Sequence, residues 1–182
     1  MERRLDPFGI LTISFVTAIG GGTIRDVLIG NFPVNWLLHQ FAILIIILAA
    51  VLSMLFGSRL KQMQTPLFLF DALGLGLFTI IGVEAGLSRG FSAGVCITLG
   101  TISACFGGVI RDVLLNKVPL IFQKEIYAVA CIAGGLMYYW MLQLQMHSNV
   151  SKVFCILLIF AIRVIAVRYR LSLPRITLKR AS

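Results

Sequence analysis

Apolar residues along the chain fall into six runs, 8–29, 36–56, 67–87, 93–115, 126–144 and 150–167, with short polar breaks between them. Runs of this length match the roughly 20 apolar residues a helix needs to cross about 30 Å of hydrocarbon. The breaks carry turn and charge signals: Gly30-Asn31-Phe32-Pro33, Gly57-Ser58-Arg59-Leu60-Lys61, Ser88-Arg89-Gly90, Asn116-Lys117-Val118-Pro119 and His147-Ser148-Asn149. The pattern predicts an all-α polytopic membrane protein of six spans, sequential neighbours packing as antiparallel hairpins. Composition agrees. Of 182 residues 59% are hydrophobic and the mean hydropathy is +0.97, where soluble domains are about half apolar. No stretch is left for a separate soluble domain. The basic start Met1-Glu2-Arg3-Arg4 before an apolar run imitates a signal peptide, but no small-residue cleavage site follows, and the segment is read as retained.

The net charge of +9 raises nucleic acid as a partner. The cations lie in loops and a terminal tail, however, not on one face of a soluble fold, and we expect no nucleic-acid partner. Six spans put both termini on one side of the membrane. That side collects Arg3, Arg4, Arg59, Lys61, Lys117, Lys124, Arg168, Arg170, Arg175, Lys179 and Arg180, and the other only Arg89 and Lys152. Positive loop charge marks the cytoplasm, so both termini are expected there. Trp36, Tyr127, Tyr138, Tyr139 and Trp140 lie near span ends as interfacial anchors do, with packing as the alternative for Tyr138 to Trp140. The cysteines, Cys96, Cys105, Cys131 and Cys155, all fall inside spans without a C-x-x-C pair. Neither a disulfide framework nor a zinc site is indicated, and they read as small buried side chains.

One motif occurs twice. Gly21-Gly22-Thr23-Ile24-Arg25-Asp26-Val27-Leu28 returns, 86 residues later, as Gly107-Gly108-Val109-Ile110-Arg111-Asp112-Val113-Leu114. The same offset carries Pro33 onto Pro119. An Arg-Asp pair inside an apolar span is costly, and finding it twice points to a duplication built around a site. The first copy ends span one and the second ends span four. An odd number of spans separates equivalent positions, so the second copy is inverted with respect to the first. The offset also exposes a gap: Asp71 minus 86 falls before Met1, so the first copy is expected to lack its leading helix. The expected organisation is residues 1–61 as a first repeat without that helix, 62–145 as a second, inverted repeat, and 146–182 as a final span with the basic tail.

The chemistry of the doubled element leaves alternatives. Gly20-Gly21-Gly22 and Gly107-Gly108 weaken their helices, either to break them and free carbonyls toward a wet cavity or to let helices pack closely. Arg25 and Asp26, like Arg111 and Asp112, point about 100° apart on a helix. Each is therefore expected to need a partner other than its neighbour. We expect arginines facing an aqueous vestibule and aspartates fixing helix ends or neighbouring helices; snorkelling to the interface is the alternative. Asp71 and Glu84 read as interfacial charges, Arg163 as a snorkelling cation, and His39 and His147 as solvated. No Ser/His/Asp set, HExxH, phosphate loop or paired catalytic carboxylate occurs, and neither an enzyme nor a cofactor is expected.

With the stretches Ala18–Leu28, Phe70-Asp71-Ala72-Leu73-Gly74-Leu75-Gly76-Leu77-Phe78 and Phe106–Asp112, the chain resembles the bacterial branch of the trimeric intracellular cation channel family. The family is also catalogued as uncharacterised inner-membrane or glycine transporter domain proteins. The resemblance implies inverted three-helix repeats plus a final helix, present here as two, three and one. It implies a homotrimer in the bacterial inner membrane, among its lipids, with a pore for monovalent cations (potassium or sodium) in each protomer. Carried over, helix kinks fall at Gly21, Gly22, Gly107 and Gly108, and pore-side basic positions at Arg25 and Arg111, with Asp26 and Asp112 beside them. Arginines repel cations in a pore, which suits these two to a gate or a water network better than to selectivity. A glycine-type solute carrier, whose substrate carboxylate suits an arginine, is the second reading, and a structural membrane partner the third.

Overall fold

The computed structural model describes residues 6–60, 64–123, 126–169 and 171. Among them there are helices and no strand: α1 (Pro7–Leu28), a 3-10 helix (Asn35–Leu38), α2 (Gln40–Leu60), α3 (Gln64–Leu87), α4 (Ala93–Leu114), the one-turn α5 (Leu120–Gln123), α6 (Ile126–Gln143) and α7 (Ser148–Arg168). All but the two short ones are long and apolar enough to span a membrane. At 1.5 Å per residue a 22-residue helix such as α1 is about 33 Å long, the thickness of the hydrocarbon layer.

Local chemistry sets the helix ends. Asp6 caps α1, its carboxylate accepting from the Gly9 amide at 2.7 Å, and Pro7 follows at the first helical position. At the other end Gly30 takes φ +66°. The amides of Gly30 and Asn31 donate to the carbonyls of Val27 and Asp26. The end of α4 repeats this 86 residues on. Asn116 takes φ 52°, and the amides of Asn116 and Lys117 donate to Val113 and Asp112. Both helices thus close on the left-handed cap that glycine and asparagine tolerate. Four threonine hydroxyls inside the spans are satisfied locally: Thr17, Thr23, Thr79 and Thr101 each donate to the carbonyl four residues back.

Helices α1 and α4 cross antiparallel through their glycines. Gly21 lies against the carbonyl of Ser103, and Gly107 against that of Thr17. Subtracting 86 from 107 and 103 returns 21 and 17, so the contact is made once in each direction, as a twofold relation requires. Lipid supplies no hydrophobic drive between helices, and close backbone approach through small residues takes its place. The pair α3 and α4 cross the same way, at Gly82 and Gly100. Among α3, α4, α6 and α7 the buried side chains form two clusters: Leu75, Cys105, Tyr127, Ala130, Cys131 and Ile159 in one, and Ile80, Val83, Cys96, Tyr138, Met141 and Cys155 in the other. All four cysteines are buried there. Helix α2 packs mainly on α1 and leaves Leu44, Ile45, Leu48, Leu52 and Leu55 exposed.

Several expectations are corrected. The second span does not begin at Trp36, which lies in the 3-10 helix. Its ring folds back onto Phe15, edge to face at 5.2 Å, and its indole N–H donates to Thr23 Oγ1 at 3.2 Å. Tyr127 and Tyr138 are buried, 4% and 0% exposed, so they pack instead of anchoring, while Trp140 is exposed. Arg163 does not snorkel; it is 2% exposed. The glycines do not interrupt their helices, since α1 and α4 run unbroken through them. His39 and His147 are exposed, as expected. Arg3, Arg4, Lys61, Lys124, Arg170, Arg175, Lys179 and Arg180 lie outside the described residues.

Candidate functional site

Each Gly-Gly pair divides its work, and the division is the same in both copies. The first glycine, Gly21 or Gly107, is the contact residue at the α1–α4 crossing. The second, Gly22 or Gly108, meets no backbone of another helix and lies under side chains at ordinary contact distance. A methyl group added at Gly22 would come no closer than 3.8 Å to Arg25 Nη2, and one at Gly108 would lie 3.7 Å from Arg111 Nη2 and 3.8 Å from the Tyr127 hydroxyl. Side chains on a helix lean toward its N-terminus, over the residues three and four back. Each guanidinium therefore lies back over a glycine one turn earlier, in the room that its absent side chain leaves.

The expectation that arginine and aspartate cannot pair with each other is overturned. Arg25 donates to Asp26 Oδ1 through Nε at 3.0 Å and Nη2 at 2.8 Å, and Arg111 Nε donates to Asp112 Oδ1 at 2.9 Å. The directions of the two Cβ atoms diverge, but the arginine stem is long enough to swing its guanidinium sideways over the next residue. The second carboxylate oxygen holds the chain beyond the helix. Asp26 Oδ2 accepts from the Asn35 amide at 2.9 Å, the first residue of the 3-10 helix, and Asp112 Oδ2 accepts from the Leu120 amide at 3.2 Å, the first residue of α5. Fixing a helix end was the role expected of the aspartates. The two copies differ in depth: the side chains of Arg25 and Asp26 are 8% and 3% exposed, those of Arg111 and Asp112 29% and 9%.

Two cavities flank the crossing. One, of about 240 Å³, is walled by the glycines of both motifs, Ser103 and Arg111, with Asp71, Gly74 and Phe78 of α3 and Tyr127 of α6. The other, of about 370 Å³, is walled by Gly22, Arg25, Asp26, Asn35, Trp36 and His39, with Ile45 and Ile46 of α2 and Phe78 and Ile81 of α3. A water fills roughly 30 Å³ in the liquid, so each has room for several. Ser103 Oγ is buried in the wall of the first, with no hydrogen-bond partner among the described residues. Every predicted site residue except Asp112 lines one of these cavities, and Asp112 is tied to Arg111, which does.

Sequence reasoning missed three contributors. Asp71, expected at the interface, stands on the first cavity's wall. Phe78 borders both cavities. Arg163 backs the first from α7, its guanidinium 4.6 Å from the centroid of the Tyr127 ring and 5.6 Å from that of Phe68. Glu84, also expected at the interface, is half-exposed; it accepts from the Tyr138 hydroxyl and pairs with Lys152, both at 2.8 Å. The spacing 71, 74, 75, 78 and 81 follows one helical face and was the available signal for α3.

Comparison with known proteins bears on this arrangement. Residues 1–58 and 68–143 match the family model described as Glycine transporter. The chain is 35% identical over 185 residues to the UPF0126 inner membrane protein YadS of Escherichia coli (strain K12), covering 97% of this chain and 86% of that one. Its fold matches a chain solved to explain conductance through TRIC cation channels, at TM-score 0.88 and 32% identity over 97% of this chain and 87% of that one. It also matches the TRIC trimeric intracellular cation channel orthologue from Rhodobacter sphaeroides, at TM-score 0.86 and 29% identity over 92% and 86%.

Proposed function

The chain belongs to the bacterial TRIC channel family, which the glycine transporter description also denotes, and from that premise we propose a multi-pass inner-membrane channel that conducts monovalent cations, potassium or sodium, through each protomer of a homotrimer. The path runs through the two cavities beside the α1–α4 crossing, with Arg25 and Arg111 toward opposite ends of it. In this reading 1–61 and 62–145 are the two inverted halves and 146–182 the closing helix and tail. Gly22 and Gly108 open the path, while Gly21 and Gly107 hold its walls together.

The observation that carries this reading is the pairing of each arginine with the next aspartate at 2.8–2.9 Å. An isolated arginine on a narrow wall repels cations. An arginine sharing a carboxylate presents an almost neutral dipole. The arginines then set the shape and hydration of the path without charging it positively. Purified protein in planar bilayers tests this: stepwise currents whose reversal potential follows the potassium or sodium gradient are expected. Saturable, counterflow-competent glycine uptake into liposomes without current would overturn it in favour of a solute carrier.

A further inference from the structure

Among the described residues the two cavities share three lining residues, Ala18 and Gly22 of α1 and Phe78 of α3. Every other residue on these two walls lines one of the two and not the other. We propose that Phe78 is the gate between them: an apolar ring that borders both cavities beside two small residues, Ala18 and Gly22, and excludes water from the passage. The inference rests on the channel reading and adds the residue at which the path is interrupted.

The polarity along the path supports it. Asp71 and Arg111 line the first cavity, Arg25 and Asp26 the second, and the shared residues carry no polar side chain. A short apolar constriction between wet compartments gates by dewetting, because a bare ion loses more hydration there than any wall atom returns. Phe78 is well placed for this. It lies on the α3 face that also carries Asp71, Gly74, Leu75 and Ile81, which spans about 15 Å at 1.5 Å per residue. The ring is 38% exposed, so it is not locked in the core. A helical aromatic leans toward the residue four positions back. That residue is Gly74, around which there is nothing within 4 Å of an added methyl group. The ring thus has space on its own helix into which to turn. On α1, a methyl group added at Gly22 would meet Arg25 Nη2 alone, at an ordinary contact distance of 3.8 Å.

Two measurements test the gate. In planar bilayers Phe78→Ala is expected to raise the mean current roughly threefold or more, and Gly22→Ala, which narrows the passage without a steric clash, to lower it by a similar factor. Both variants should elute and melt like the wild type. If the wild type conducts and both variants conduct equally well, the gate is wrong while the channel reading stands. The second measurement does not need ionic current. Gly74→Cys, on the first cavity's wall, is exposed in sealed vesicles to a small cationic thiosulfonate applied from either side, with the wild type and its buried cysteines as control. Labelling from one side only is expected while Phe78 is present, and from both sides once Phe78→Ala is added. Single-sided labelling in the double variant would overturn the gate whether or not the protein conducts.

Discussion

Gly21 lies so close to the Ser103 carbonyl that a methyl group added to it would stand 2.1 Å from the oxygen. The reciprocal contact, Gly107 against the Thr17 carbonyl, would leave a methyl group 2.5 Å away. These two contacts fix the α1–α4 crossing and with it the walls of both cavities.

Gly21→Ala and Gly107→Ala are therefore expected to separate the helices. Forcing a methyl group into packed backbone costs about 1–3 kcal/mol, a fall of roughly 2–12 °C in melting midpoint for a chain of this size. Gly108→Ala, with 3.7 Å of clearance, should melt within a degree or two of the wild type. Thermal unfolding of the detergent-solubilised protein, followed by circular dichroism, checks the contrast; equal midpoints for all three variants would contradict it.

Asp26→Asn is expected to be the more damaging of the two aspartate substitutions. Breaking a buried pair leaves an uncompensated cation and costs about 3–5 kcal/mol. The first pair is nearly enclosed, while Arg111 is 29% exposed and can recover hydration. Asp112→Asn should accordingly cost less. If the proposed path holds, both should shift the bilayer reversal potential toward the anion, since each would unmask an arginine on it. Combining Arg25→Gln with Asp26→Asn should restore part of the cation preference. A reversal potential indifferent to all three would remove the arginines from the path.

Arg163→Met should weaken the wall behind the first cavity. A desolvated guanidinium over an aromatic face is worth about 2 kcal/mol, and this one lies 4.6 Å from the Tyr127 ring centroid. Tyr127→Phe keeps the ring under the cation and should retain most of that stability. Comparing the two midpoints separates the stacking from the hydroxyl; a larger loss in Tyr127→Phe would refute the stacking account.

On the surface, Arg89 ties the α3–α4 turn to the end of α1, donating to the Ile29 carbonyl at 3.0 Å and to Asn31 Oδ1 at 3.3 Å. Exposed contacts of this kind contribute about 0–1 kcal/mol. Arg89→Ala should leave the melting midpoint almost unchanged but speed amide exchange at residues 29–31. Unchanged exchange there would show that the turn holds itself.

Hydropathy alone located the six spans to within a few residues, except where Trp36 begins the second. Trp36 and Leu37 continue the apolar run of the helix after them, and contacts with the Asp26 carboxylate, the Phe15 ring and the Thr23 hydroxyl hold this segment back. The duplication was plain in the residues, but the unequal duties of Gly21 and Gly22 were not. They depend on which face of α1 meets α4, and adjacent glycines have no side chains by which to tell the faces apart. The Arg25–Asp26 contact was misjudged because backbone direction was taken as side-chain reach. Phe78 gave no signal of its own, since a phenylalanine in an apolar span is ordinary until a second cavity is found on its far side. Arg163 was read by its distance from the span end, whereas burial under Tyr127 depends on a residue 36 positions away in sequence.

The reciprocity of Gly21 with Ser103 and Gly107 with Thr17 has a consequence for ancestry. A contact made identically in both directions needs only one set of instructions. Two identical short chains inserted in opposite senses would bring the same positions together, so half of this gene is enough to specify the joint at its centre. Fusion then frees the side chains of the copies to diverge, as Thr17 and Ser103 have, while the joint keeps its two glycines because it is made to backbone carbonyls.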